Sequence, residues 1–342
     1  MFRQYYIKNI IIYIMPFNIT NSVGRYAKNI SVSGSLWVAT GTSGNVIVTS
    51  KSGTNWSKSS VTDFLGQSVA YGNNTWVAVG GSKIIFSTNN ASTWENAASN
   101  PSVTSLKRVA YGKDASGANL WIAVNNFVPA IIKSIDGNDW SVANSVSGLT
   151  YANDVAYGKD ASGVGLWVAV GGSKIVTSTN GNNWNIATVV SSFTAPVCVA
   201  YGKDASGVGL WVAGADSGTS KLAFSYSGTS WTNIQFSTTV YALAYGKDAS
   251  GAGLWIAACN QSIFKSTNGI NNWLNTNTTV LTSLNAYGIA NGIDASGQNL
   301  WIVVGSTSNT GNAIVSSSDG TTWSRVDANG GIQYPNDVAF KV

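Results

Sequence analysis

Val155 to Trp184 reads VAYGKDASGVGLWVAVGGSKIVTSTNGNNW, and most of the chain is a variation on it. It carries three short strand-like runs, Val155–Tyr157, Leu166–Val170 and Lys174–Thr179. Each is bounded by Gly, Asn, Asp or Ser, the residues that accept tight turns. An Asn-Gly turn and a tryptophan close the stretch, and Asn185–Val190 reads as a fourth strand. Four strands leave two edges and a face uncovered, so the unit must stack on neighbours to be stable.

Two tryptophans mark every repeat. The first lies in the second strand, at Trp37, Trp76, Trp121, Trp167, Trp211, Trp255 and Trp301. The second follows the turn between strands three and four, at Trp56, Trp94, Trp140, Trp184, Trp231, Trp273 and Trp323. Seven pairs use all 14 tryptophans, and first members recur every 39 to 46 residues. That period matches four-stranded blades, so the fold class is all-β: a seven-bladed β-propeller of antiparallel blades. A large aromatic in each unit fills the wedge between neighbouring blades.

The turn before the second tryptophan is SIDGNDW at Ser134–Trp140 and SSDGTTW at Ser317–Trp323. Looser forms run from Ser50, Ser178, Ser225 and Ser266, and the loosest is STNNASTW at Ser87–Trp94. These turns resemble the Asp-box, or BNR, repeat of sialidase-like propellers, across nearly all of residues 30–342. The resemblance implies structural turns whose side chains bond the hairpin's own amides, with Asp136 and Asp319 keeping the aspartate and Asn or Ser replacing it elsewhere. Kelch and WD repeats fit less well. The Gly80-Gly81 and Gly171-Gly172 pairs are not repeated in other units, and a chain without histidine lacks the WD signature.

Sialidase chemistry, which the resemblance invites, needs an arginine triad and a tyrosine–glutamate nucleophile. The chain holds Arg3, Arg25, Arg108 and Arg325, no Arg-Ile-Pro motif near its start, and a single glutamate, Glu95, beside a turn tryptophan. Glycoside hydrolysis needs two facing carboxylates. Most aspartates here are repeated turn residues, and Asp63, Asp216 and Asp327 show no pairing signature. No catalytic residue, cofactor or metal site is therefore expected. Histidine, the commonest general base and a principal zinc ligand, is absent.

Charged residues make up 10% of the chain and the net charge is +5. An average globular chain carries about 25% charged residues, so Ser, Thr, Asn and Gly must supply the polar surface. No basic run occurs, which argues against nucleic-acid binding. Cys198 and Cys259 are expected as buried thiols rather than a disulfide.

A second repeated loop, YGKDASG, starts at Tyr111, Tyr157, Tyr201 and Tyr245, with a variant at Asn291–Gly297. It places Lys113, Lys159, Lys203 and Lys247 beside Asp114, Asp160, Asp204, Asp248 and Asp294. A charged ring for a ligand is one reading. The plainer one is a turn in which Asp accepts backbone amides, and one carboxylate per loop is a poor calcium site. In an up-and-down blade the 1–2 and 3–4 connections share one face, and the 2–3 and 4–1 connections share the other. The uniform loops therefore gather on one face. The divergent loops, Val124–Ala130, Gly214–Lys221, Val304–Ala313 and 4–1 segments such as Trp140–Asp154, gather on the opposite one. Binding is usually carried by divergent loops. Phe127, Tyr151, Phe193 and Tyr334 are the candidate binding residues there, against the plainer reading of hydrophobic plugs at blade junctions.

The functional expectation is a monomeric, non-enzymatic recognition scaffold for a protein or glycan ligand. A structural component of a larger particle such as a virion is the alternative. Near-identical repeats imply internal duplication, and the Ile/Asn/Tyr/Lys bias of residues 1–14 suggests AT-rich coding, as in a large DNA virus or a microbe with expanded repeat genes. Residues 1–16 are expected to be an extra segment and 17–342 a single propeller, with Met15 as the simplest native start. The apolar run Ile10–Ile14 is too short to span a bilayer, and no signal-peptide pattern accompanies it, so localisation stays open. Asn336–Phe340 repeats Asn153–Tyr157 without a tryptophan pair after it. Asp337–Lys341 is thus expected to pair beside Leu36–Thr40 and close the ring, with Ile30–Ser33 as the competitor for that slot.

Overall fold

The computed structural model describes residues 34–44, 46–144, 146, 148–189, 193–276, 284–307, 313–326 and 328–341. The N-terminal expectations at residues 1–16 and Ile30–Ser33 lie outside them, as do Val190 and Asp327. Seven sheets, six wholly antiparallel and the first with one added parallel strand, make up the described chain, and no helix occurs among the described residues. Blade 2 begins at Ser68–Gly72, blade 3 at Leu106–Lys113 and blade 4 at Asp154–Lys159. Blade 5 begins at Phe193–Lys203, blade 6 at Val240–Lys247 and blade 7 at Leu284–Ile293. These inner strands touch one another in order around the ring. The founding stretch gives Asp154–Lys159, Gly165–Gly171, Lys174–Ser178 and Asn185–Ile186, with the outer strand shorter than its sequence suggests.

Blade 1 is assembled from both ends of the described chain. Ile332–Lys341 is its inner strand and pairs antiparallel with Leu36–Gly44, in the register Leu36↔Lys341 through Thr40↔Asp337. Ala328–Asn329 adds a short parallel strand on the outer edge, against Asn55–Trp56. The ring thus closes with the C-terminal strand in the inner slot, which covers the otherwise bare edge of Leu36–Gly44.

The YG step of each repeat explains how blades interlock. Each tyrosine packs on the tryptophan of its own blade at 4.8 to 5.2 Å, as in Tyr157–Trp167 and Tyr245–Trp255. The glycine after it makes room for the next blade's ring. A Cβ on Gly72, Gly112, Gly158 or Gly202 would lie 2.0 to 2.2 Å from Cγ of Tyr111, Tyr157, Tyr201 or Tyr245. In blade 1 the glycine is replaced by Lys341, whose ammonium sits 4.9 Å from the centre of the Tyr71 ring. The strand-two indoles add a polar stitch. Trp167, Trp211, Trp255 and Trp301 donate to the carbonyls of Lys113, Lys159, Lys203 and Lys247 in the preceding blade, at 2.7 to 3.0 Å.

All seven strand-two tryptophans are 0 or 1% exposed. Trp167→Ala should therefore cost about 3–5 kcal/mol through the cavity it leaves between blades. Asp160 only accepts the Ser162 and Val164 amides of its own turn, at 2.8 and 2.9 Å. Asp160→Asn keeps an acceptor oxygen there and should cost less than about 1 kcal/mol. Equal losses in chemical denaturation would mean that scaffold and loop are misassigned.

Candidate functional site

Two kinds of turn make up the uniform face. In the Ser-to-Trp turn of blade 3, Ser134 Oγ accepts the Gly137 amide at 2.8 Å, and Asp136 Oδ1 accepts those of Asn138 and Asp139 at 2.9 Å. Asp319 does the same with Thr321 and Thr322 at 2.7 and 2.8 Å, and Asn180 with Asn182 and Asn183 at 2.9 Å. Ser227 makes the same pair of bonds at 3.2 and 3.3 Å. One acceptor oxygen suffices, which is why Asp, Asn and Ser interchange here.

In the KDASG loops each Asp Oδ1 accepts two amides of its own turn, and the hydroxyls of Ser116 and Ser250 hold Asp114 and Asp248 below the usual carboxylate range. Tyr226 donates to Asp204 at 3.1 Å, and Asn299 to the Ser318 carbonyl at 2.8 Å, which puts both turn types on one face. The polar groups of that face are largely spent on the turns themselves.

The opposite face joins the 2–3 and 4–1 connections. Asn125, 1% exposed, is the organising residue in blade 3. Its side chain donates to the Phe127 and Pro129 carbonyls at 2.9 and 3.3 Å and accepts the Ser105 amide at 3.0 Å. Its carbonyl accepts the Ala152 amide at 2.9 Å. Phe127 and Tyr151 are thereby brought into one neighbourhood, with Phe127 57% exposed and Tyr151 half-buried. Beside them lies an apolar cleft of about 360 Å³, lined by Val128, Pro129, Ile131, Val142, Val146 and Leu149.

The other two candidates are not part of this group. Tyr334 sits on the inner strand of blade 1 at φ 47, just before the register slip between Pro335 and Asp337, and is 48% exposed. Phe193 is 4% exposed and packs with Leu166, Val170, Ile175 and Trp231, so it is a junction plug rather than a surface residue.

A cluster not expected from the sequence lies on the axis. The residue before each Val-Ala-Tyr-type step is Ser68, Arg108, Asp154, Cys198, Ala242, Gly288 or Asp337. Several of these bond the next blade. Ser68 Oγ accepts the Val109 amide, Asp154 Oδ2 accepts Val199, and Asp337 Oδ2 accepts Val69, at 2.9 to 3.2 Å. Arg108 cannot accept and instead crosses the ring. Its Nη2 donates to the Tyr287 carbonyl of blade 7 at 2.6 Å, and Nη1 to those of Gln67 and Asn336 at 3.1 and 3.4 Å. Asp154 and Asp337 flank the guanidinium at 3.9 and 3.8 Å. The planar fork suits several acceptors in one plane, which a lysine ammonium would not match. These two carboxylates do face each other across Arg108, but each is held by neighbouring strand amides as a clamp. The thiols of Cys198 and Cys259 are free and share one core cluster, and burial pushes both upward.

Burial raises the Asp154 carboxyl to about 6, against the pull of the Arg108 charge. An unfolded aspartate titrates near 4. Between those values the folded chain binds more protons than the unfolded one, so the Asp154 contribution to stability falls as pH rises from about 4 to about 6. Asp154→Asn removes that titration. The stability of wild type relative to the variant should drop by roughly 2–3 kcal/mol across the interval. Urea midpoints at the two ends of that interval would read it, and a pH-independent difference would contradict it.

The arrangement defines a seven-bladed β-propeller with one self-bonded face and one face of varied loops. No protein-family model matches the sequence, and no curated protein is similar to it. Solved structures with the same fold include YCF48 from Cyanidioschyzon merolae, 16% identical, with a TM-score of 0.53 over 78% of this chain and 86% of that one. Virginiamycin B lyase from Staphylococcus aureus is 10% identical, with a TM-score of 0.56 over 76% of this chain and 83% of that one. BBS1N in complex with ARL6 is 9% identical, with a TM-score of 0.51 over 75% and 80%. Enzymes and binding proteins both occur in this set, and at such identities the likeness is one of fold.

Proposed function

We propose that this chain is a non-enzymatic propeller of the Asp-box kind that recognises a protein partner on its divergent-loop face. The observation that carries the reading is the apolar cleft beside exposed Phe127 and Val128, on a face whose loops differ from blade to blade. A small concave apolar site with few polar groups accepts a side chain of a partner and gives an interface its buried anchor. The uniform face also exposes Ile135, Val164 and Val208, but these stand singly, one to a turn. Structures of related fold include YCF48 bound to a D1 peptide and BBS1N bound to ARL6. Metal-assisted chemistry finds no group of three or more His, Cys, Asp or Glu side chains among the described residues.

Panning a random-peptide display library on the immobilised protein tests this, with a glycan array run in parallel. The expected result is enrichment of peptides with an apolar or aromatic anchor, whose capture is lost in Val142→Glu at the lip of the cleft. Enrichment indifferent to that substitution, or glycans but no peptides on this face, would overturn the protein-partner reading.

A further inference from the structure

The Ser-to-Trp turns come in two lengths. Five span seven residues and two span eight, Ser87–Trp94 and Ser266–Trp273. In the seven-residue turns the tryptophan is 3 to 8% exposed. Four of those five indoles donate to the glycine carbonyl three residues back, at Gly53, Gly137, Gly181 and Gly228, over 2.8 to 3.1 Å. The fifth, Trp323, lacks the bond but stays 5% exposed. Three residues before these two indoles stand Ala91 and Ile270, and in blade 6 Gly269 keeps the glycine's bond to Ser266 Oγ one residue earlier. The indole nitrogens of Trp94 and Trp273 find no partner, and both rings are only half-buried.

The same two turns also interrupt the outer seam of the ring. At four other junctions among the described residues the segment leaving one blade is stitched by backbone to the next blade's turn. Ser99 bridges to Asp139, Thr188 to Ser230, Ala328–Asn329 to Asn55–Trp56, and the Asn144 amide donates to the Asn182 carbonyl. Among the described residues no such stitch reaches Ser87–Trp94 from blade 1 or Ser266–Trp273 from blade 5. Each of these junctions opens a cleft instead, of about 400 and 330 Å³. Exposing an aromatic and orphaning an N–H both cost stability, and such departures from an otherwise repeated rule mark functional positions.

We propose that these two rim clefts are binding sites for a neutral saccharide. At the 5/6 junction Trp273, Phe236 and Phe224 offer aromatic faces, and Gln235, Asn271 and Asn272 place amides around them, with no ionisable side chain in the lining. Phe236 also meets Phe264 and Trp273 edge-on, which fixes the platform. At the 1/2 junction Trp94 is accompanied by Thr93 and Asn96, and the Asp63–Lys83 ion pair cancels its own charge. A pyranose ring presents apolar C–H faces for stacking and hydroxyls for amides, and an uncharged lining favours an uncharged sugar. The volumes lie at the small end of ligand pockets, about 300–1,000 Å³, which suits one or two sugar rings. These sites are separate from the divergent-face cleft, so either assignment can fail without the other.

The test is an array of neutral mono- and disaccharides probed with the fluorescently labelled full chain. Sugars that bind are then titrated as methyl glycosides by saturation-transfer NMR. Binding should weaken about tenfold in Trp94→Ala/Trp273→Ala, a change of about 1.4 kcal/mol. Deleting Asn90 and Asn272, both at left-handed φ (60 and 53), restores the seven-residue length and keeps the indoles. That variant should close the clefts, lose the sugar and melt no lower than wild type. A blank array overturns the proposal. So does binding that persists within twofold in the double deletion, which remains decisive if the tryptophan variant misfolds.

Discussion

Deleting residues 335–342 should lower the melting temperature by roughly 10 °C or unfold the ring outright, whereas deleting residues 1–14 should change it little. The C-terminal deletion strips most of the inner strand from blade 1 and bares the edge of Leu36–Thr40. It removes Val338, 4% exposed, and Phe340, whose ring lies 4.6 Å from Trp37. It also removes Asp337, the clamp on the Ser68 hydroxyl and Val69 amide of blade 2, 2.7 and 3.1 Å away. Edge, core and inter-blade clamp are lost together, so the damage exceeds that of a frayed terminus. A truncated chain that melts like wild type would show that the closure is wrong.

Gly158→Ala should cost about 3 kcal/mol or more, although it adds a single methyl group. That Cβ would stand 2.2 Å from Cγ of Tyr201, a ring held on one side by Trp211 at 4.8 Å. Gly163→Ala is the control. It sits at φ +83 with nothing within 4 Å of its Cβ, and should cost only about 1–2 kcal/mol of backbone strain. Removing the ring separates the two causes. Gly158→Ala/Tyr201→Ala should be markedly less destabilised than the sum of its single variants, because the clash disappears. Additive losses would mean that the glycine is needed for reasons other than the neighbouring ring.

Repetition made the architecture legible. Seven tryptophan pairs fixed the blade count, and an orphan Asn-Asp-Val-Ala-Phe at the C-terminus fixed the closure, because a strand sequence without its partners must borrow them. Strand alternation sorted the loops onto two faces for the same reason. The axial cluster was not legible, since bonds from Arg108 to Tyr287 and Asn336 depend on which repeats face each other across a ring. A signal did exist: one position in an otherwise similar strand takes six identities over seven repeats, with only Asp154 and Asp337 alike. For Phe193 the structure decides for the plainer of two readings, since an aromatic before an inner strand reads alike whether it plugs a junction or faces solvent. Asn125 was overlooked because a single amide after an apolar strand reads as the start of a loop. Here it is a buried clamp that shapes one.

The division of labour between the faces is tested most directly by measuring the affinity of a library-selected peptide for two variants. Phe127→Ala/Tyr151→Ala/Tyr334→Ala alters the divergent face, leaving out Phe193 because its loss would open the core. Lys159→Ala/Lys203→Ala alters the uniform face, where both lysines are exposed. A loss of about tenfold or more in the first variant, with the second within twofold of wild type, is the expected result. Binding that survives the aromatic triple and disappears with the two lysines would place recognition on the KDASG face and contradict the assignment.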